Sequence, residues 1–131
     1  KTNDTGFAVE EIRKKLKADS RREHESPDGL EPEMITGAWI KMMELYTSSK
    51  VIRHEDAEAL QARGGTYRTC HLCECPGGFI CATNHYLKTY YPNLKWFWRA
   101  VSLNPYNEAN NLNAMIDDDA FYRQTPEHWW R

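Results

Sequence analysis

No apolar run in this 131-residue chain approaches the ~20 residues that a membrane-spanning helix needs, so no transmembrane segment is expected. No secretory leader is visible, and the chain opens on Lys1 rather than Met, as a processed or trimmed chain would. There is no internal repeat, heptad series or low-complexity tract, which leaves solenoids, coiled coils and flexible linkers without support. Cysteine is absent outside residues 70–81. Net charge is only −2, too small to imply a strongly charged partner for the chain as a whole.

What is present suits a folded domain. Aromatic residues make up 12% of the chain, with five Trp and seven Tyr, and 40% is hydrophobic. That is rich enough to argue against wholesale disorder. The length predicts a single domain spanning residues 1–131 with one core. Charge is unevenly spread. Residues 63–99 carry five basic groups and one acid, whereas residues 1–62 carry 10 basic and 13 acidic groups. The cysteines therefore lie in the only basic third of the chain, which permits an anionic partner there.

Periodicity reads as mostly helical. Val9, Ile12 and Leu16 mark an amphipathic helix over residues 8–22. With the polar loop that follows, it forms a 1–31 segment peripheral to the core. Pro32 precedes a helix through MITGAWIKMMELY, with Ile35, Trp39, Met42 or Met43, and Tyr46 on one face. Ser48 or Ser49 caps another through KVIRHEDAEALQAR, stopped by Gly64 and Gly65. TYRTC reads as a strand. Pro76-Gly77-Gly78 reads as a tight turn, with Phe79-Ile80-Cys81 returning as the second arm of a hairpin. Thr83 or Asn84 then caps a short helix ending before Pro92. Asn93 caps a helix through LKWFWRAVSL, another follows through YNEANNLNAM, and the end, TPEHWWR, carries a Thr cap and Pro at a first helical position. The expected fold is mainly α, a small helical domain with one short β-hairpin that, with the helix following it, spans residues 66–91.

That hairpin holds CHLCECPGGFICATNH, residues 70–85. Cys70 and Cys73 have C-x₂-C spacing, and Cys81 with His85 completes a Cys₃His set if the glycine turn brings the chain back. A single structural Zn²⁺ is the expected cofactor, with Cys75 and His71 as alternate ligands. Disulfides are the second reading, supported by the even cysteine count and the sequon Asn3-Asp4-Thr5. They would close only short loops and stabilise little. The acidic run Asp117-Asp118-Asp119 lacks the glycine and distal glutamate of a calcium loop and reads as a solvated turn.

Beyond the window, residues 85–101 interleave Tyr86, Tyr90, Tyr91 and Trp96 with Lys88, Lys95 and Arg99. Trp129 and Trp130 are adjacent and cannot both face inward from one helix. Such residues suit a protein interface or a stacking surface for single-stranded nucleic acid. No motif points to catalysis. The sequence therefore predicts a non-enzymatic, zinc-stabilised regulatory or adaptor protein that docks on another protein. It would act inside the cell, in cytoplasm or nucleus, with neither membrane nor small-molecule substrate. A zinc-dependent RNA- or DNA-binding protein using residues 85–101 is the first alternative. A small secreted disulfide-bonded effector is the second.

Overall fold

The computed structural model describes residues 29–103 and 123–130. The helix expected over 8–22, the one through YNEANNLNAM and the Asp117–Asp119 run lie outside the described residues.

Helix α1 runs Gly37–Ser48, and its cap is Thr36, whose Oγ1 accepts the Trp39 amide at 3.1 Å. Trp39, Met43 and Tyr46 recur at i, i+4 and i+7 and are buried, the single inward stripe of an amphipathic helix. Helix α2, His54–Ala62, has Glu55 and Asp56 in its first turn, where carboxylates face the positive end of the helix dipole. The expected serine cap is absent, since Arg53 occupies the cap position without a side-chain bond. The glycine stop holds. Gly64, at φ +68°, directs its amide to the Gln61 carbonyl, and the Gly65 amide reaches the Leu60 carbonyl.

Strand β1, Thr66–Leu72, follows as the sequence predicts. The chain does not fold back after it. Gly77, at φ +117°, is the residue before α3, Gly78–Tyr90, and the chain returns through that helix to β2, Lys95–Val101. Strands β1 and β2 are parallel, with Thr66 opposite Lys95 and Leu72 opposite Val101. A parallel pair needs a crossover of this kind, because a tight turn can join only antiparallel strands. A short 3₁₀ turn, Pro126–His128, leads into β3, Trp129–Trp130, which pairs parallel to β2 with Ala100 opposite Trp129. Among the described residues the sheet order is β1-β2-β3.

The expected mainly α fold is thereby corrected to α/β, helices on a three-stranded parallel sheet. The hairpin carrying a zinc site is replaced by a βαβ unit. The helix expected through LKWFWRAVSL is a strand, in which Trp98 and Ala100 are buried.

Helix α3 is buried on two sides, so its inward residues cover most of its circumference. Cys81, Ala82 and Leu87 share a core with Trp39, Met43, Tyr46, Ile52, Ala57, Tyr91 and Leu94. Ile80 faces a second cluster with Trp98, Ala100 and Trp129 on the strands. A helix packed between a second helix and a sheet has no wide solvent face. The Tyr46 hydroxyl and Thr83 Oγ1 lie 2.7 Å apart within this core. Burial pushes the Tyr46 phenol up to about 12, a shift moderated by that hydrogen bond. No helix among the described residues is long and apolar enough to cross a membrane.

Candidate functional site

The turn from β1 into α3, residues Cys73–Gly78, is held by several backbone hydrogen bonds. It is fastened to the end of β2 by two bonds. The Glu74 amide donates to the Val101 carbonyl and the Cys75 amide to Ser102 Oγ, each at 3.3 Å. Within the turn, the Gly77 amide reaches the Glu74 carbonyl at 2.7 Å. Two residues adopt left-handed backbone, Gly77 and, unusually for a side-chain-bearing residue, Cys73 at φ +55°. Gly78 meets a different demand. A Cβ there would lie 2.5 Å from Thr36 Oγ1 and 3.1 Å from Ala38 Cβ. Its absence lets the first turn of α3 lie directly on the start of α1.

Glu74 is buried at 4% exposure, and its Oε1 accepts the Ile80 amide at 2.9 Å. It thus satisfies one of the amides that a helix start leaves unpaired. Burial pushes its carboxyl up to about 7, opposed by the hydrogen bonds from the Ile80 and Phe79 amides. On β1, buried His71 is held the other way. Loss of water drives its imidazole down to about 4, so it is neutral at physiological pH. Its Nε2 lies 2.9 Å from Thr69 Oγ1, which also accepts Trp96 Nε1 at 3.0 Å. Leu72 (66% exposed), Cys73 and Pro76 leave the outer rim of the turn open.

The expected metal ligands are divided by this arrangement. Cys70 is exposed within β1, and Cys73 lies exposed just beyond its end. Cys81 and His85 are one turn apart on α3 and buried, His85 with its ring 5.6 Å from Trp39. Cys75 packs with the Ile80–Trp98 cluster, while His71 belongs to the Thr69–Trp96 network. Among the described residues, no three His, Cys, Asp or Glu side chains are gathered as a metal site requires. The cause is local. Gly77 and Gly78 start a helix, so the chain never returns to the C-x₂-C pair. No disulfide joins the four cysteines.

The expected partner surface is also dispersed. Tyr86 stacks on Tyr46 at 4.7 Å and packs against the α1–α3 core, which includes Tyr91. Lys88, Tyr90 and Lys95 are exposed, and Trp96 is half-buried. Arg99 lies over the Phe97 ring and donates to the Glu127 carbonyl, with Arg68 over the same ring. Trp129 is buried at 5%, whereas Trp130 is 49% exposed. The adjacent tryptophans do face opposite ways, although a strand rather than a helix separates them. Sequence reading missed Glu74, Gly77 and Gly78 as a unit. The signal was present, since a β-type run, two glycines and a helix-period run in that order mark a strand-to-helix turn.

No family model matches the chain, and no solved structure matches it. Among curated proteins it is similar to the cap-specific mRNA (nucleoside-2′-O-)-methyltransferase 2 of Pongo abelii, 38% identical over 129 residues. The Drosophila melanogaster protein of the same name is 37% identical over 100 residues, 75% of this chain and 13% of that one. A probable methyltransferase of African swine fever virus is 33% identical over 99 residues, 74% of this chain and 19% of the viral protein. The match to the Pongo abelii protein takes in 98% of this chain but only 14% of that protein's length. The expectation of a non-enzymatic zinc-stabilised adaptor is overturned by these likenesses, because the similar proteins are named as enzymes. So is the expected lack of a small-molecule substrate, since a transferred methyl group requires a donor. What the chain resembles is one part of an mRNA cap methyltransferase, and the strand-to-helix turn lies within that part.

Proposed function

We propose that this chain forms part of a methyltransferase acting on a nucleoside 2′-oxygen of capped mRNA, and that the β1–α3 turn seats the methyl donor. The observation that supports this reading is a parallel βαβ unit, with a glycine turn after its first strand, in a chain 38% identical to such an enzyme. Ligands of open α/β sheets settle beyond the carboxyl ends of the strands, where this turn and Ser102 lie. The residues present fit a sulfonium donor such as S-adenosylmethionine. The rim is open at Leu72, Cys73 and Pro76, and the turn is tightened by Gly77.

Leu72–Pro76 and Ser102 are the residues that would hold the donor, which when bound supplies an activated methyl group. The chain's own contribution is to bind and orient it on a turn fixed by β2 and α1. On this reading the protein works where capped mRNA is found, in the nucleus or the cytoplasm. The full-length protein, given capped RNA and S-adenosylmethionine labelled on its methyl group, should label the RNA on a ribose 2′-oxygen. Gly77→Val, which places a branched side chain at φ +117°, should abolish the labelling. Unlabelled RNA from the full-length protein would sink the reading.

A further inference from the structure

A cavity lies at the opposite end of β1 from the β1–α3 turn. It holds about 410 Å³ between the α1–α2 link, one face of α2 and the start of β1, a volume that suits a small ligand or one unit of a longer one. Ile52 and Ala57 are buried in its floor, with half-buried Leu60 and Tyr67 beside them. The rim is cationic. Lys50, Arg53 and Arg63 stand exposed around it, and Asp56 is the single acid among the described lining residues.

Helix α2 sorts its charges to make this rim. Arg53, Asp56, Ala57, Leu60 and Arg63 follow i, i+3, i+4, i+7 and i+10 and so share one face. Glu55 and Glu58 fall on the other side, where Glu58 pairs with His54 at 3.1 Å. Asp56 lies 3.4 Å from Arg53 with both side chains well exposed, and such a pair costs little to open. Arg53 and Arg63 are separated by ~15 Å along the helix axis. One carboxylate or phosphate cannot reach both, so the rim matches an anion that repeats its charge along a chain. The apolar floor between them matches a chain with a flat group between its charges.

We propose that this groove seats single-stranded RNA, with one base on the Leu60–Tyr67 floor and neighbouring phosphates at Lys50, Arg53 and Arg63. Proteins that bind single strands combine these parts, an aromatic ring for the base and cations for the backbone. The proposal rests on the reading of the chain as part of an enzyme acting on mRNA, which supplies the strand. From Tyr67 to Leu72, β1 covers ~17 Å. The seated nucleotide is therefore not the one that is methylated but one further along the same strand.

Anisotropy titration of the full-length protein with a labelled, uncapped oligouridine, repeated over a series of salt concentrations, tests this. For single strands the logarithm of affinity falls with that of salt by about 0.7 per phosphate contacted. Lys50→Gln, Arg53→Gln and Arg63→Gln combined should flatten that slope by about two and weaken binding at least roughly tenfold at about 0.1 M salt. Asp56→Asn, which removes the acid and frees Arg53, should tighten binding about threefold, a gain that damage to the fold would not produce. An unchanged slope in the triple variant overturns the proposal, even where affinity falls, because no phosphate contact has then been lost. Equally tight competition by a poly-glutamate peptide of matched charge also overturns it and makes an acidic protein the occupant. Methyl transfer is read separately. A wild-type protein that binds RNA through the groove yet never labels it overturns the methyltransferase reading. One that labels RNA while the triple variant binds like wild type overturns the groove alone.

Discussion

Replacing Glu74 by Gln should unmask a pH dependence of stability that the wild-type chain conceals. Burial raises the Glu74 carboxyl from its ordinary 4.5 to about 7. The folded state therefore binds a proton more tightly than the unfolded state. The stability this contributes is fully present below pH 4.5 and is lost as pH rises through about 7. His71 is displaced oppositely, from 6.5 down to about 4 by burial. Its contribution is fully present above pH 6.5 and is lost as pH falls through about 4. At ~1.4 kcal/mol per pH unit each displacement amounts to about 3 kcal/mol, and about 2 kcal/mol once screening of partly hydrated groups is allowed for. Between pH 4.5 and 6.5 the two slopes nearly cancel. In Glu74→Gln only the histidine remains, so urea-unfolding free energy should rise by about 2 kcal/mol from pH 4 to 6.5 and then level off. His71→Asn should show the mirror image, a fall of similar size from pH 4.5 to 7. Parallel curves for wild type and Glu74→Gln across this range would refute the reasoning, because Glu74 would then be ionised without cost in the folded chain.

Other positions give independent checks. Gly78→Ala improves helix propensity by about 1 kcal/mol but puts a methyl 2.5 Å from Thr36 Oγ1. Overpacking should win, with net destabilisation of about 1–2 kcal/mol by thermal melting. Trp129→Ala should cost about 3 kcal/mol or more, and Trp130→Ala, at a side chain 49% exposed, should stay within about 0.5 kcal/mol in the same assay. Tyr46→Phe should cost only about 1 kcal/mol, since Thr83 keeps its bond to the Phe79 carbonyl. Incubation with a strong chelator should leave the melting curve unchanged, because Cys70 and Cys73 are exposed at the end of β1 while Cys81 and His85 are enclosed in the helical core.

Local signals in the sequence led to the right elements and distant pairings did not. Helix α1 was legible because Trp39, Met43 and Tyr46 share one face, although it starts at Gly37 behind a Thr36 cap and not at Pro32. The end of α2 was legible from Gly64 and Gly65. Strand β2 was not. In LKWFWRAVSL, Leu94, Phe97 and Val101 fit a helical period, while Trp96, Trp98 and Ala100 fit a strand. What decides between them is pairing with β1, 29 positions earlier at Thr66 opposite Lys95. The cysteines misled for a related reason. Their spacing is what a metal knuckle requires, but a knuckle needs the chain to reverse, and Gly77-Gly78 instead launches a helix that carries Cys81 into the core. The strand-to-helix turn was signalled, but the burial of Glu74 within it was not, since that depends on α3 and the end of β2 closing over it.

The turn between β1 and α3 is gripped from three directions, by Thr36 and Ala38 of α1, by Val101 and Ser102 of β2, and by its own Glu74. Folding therefore meets in advance the ordering entropy of its six residues, about 1–2 kcal/mol for each backbone unit. On the proposed reading, a donor arriving there would find its seat already shaped, with none of its binding energy diverted into arranging a loop. Loosening the grip at Thr36, which need not touch the ligand, would return part of that entropy to the free protein and weaken binding without altering a single contact.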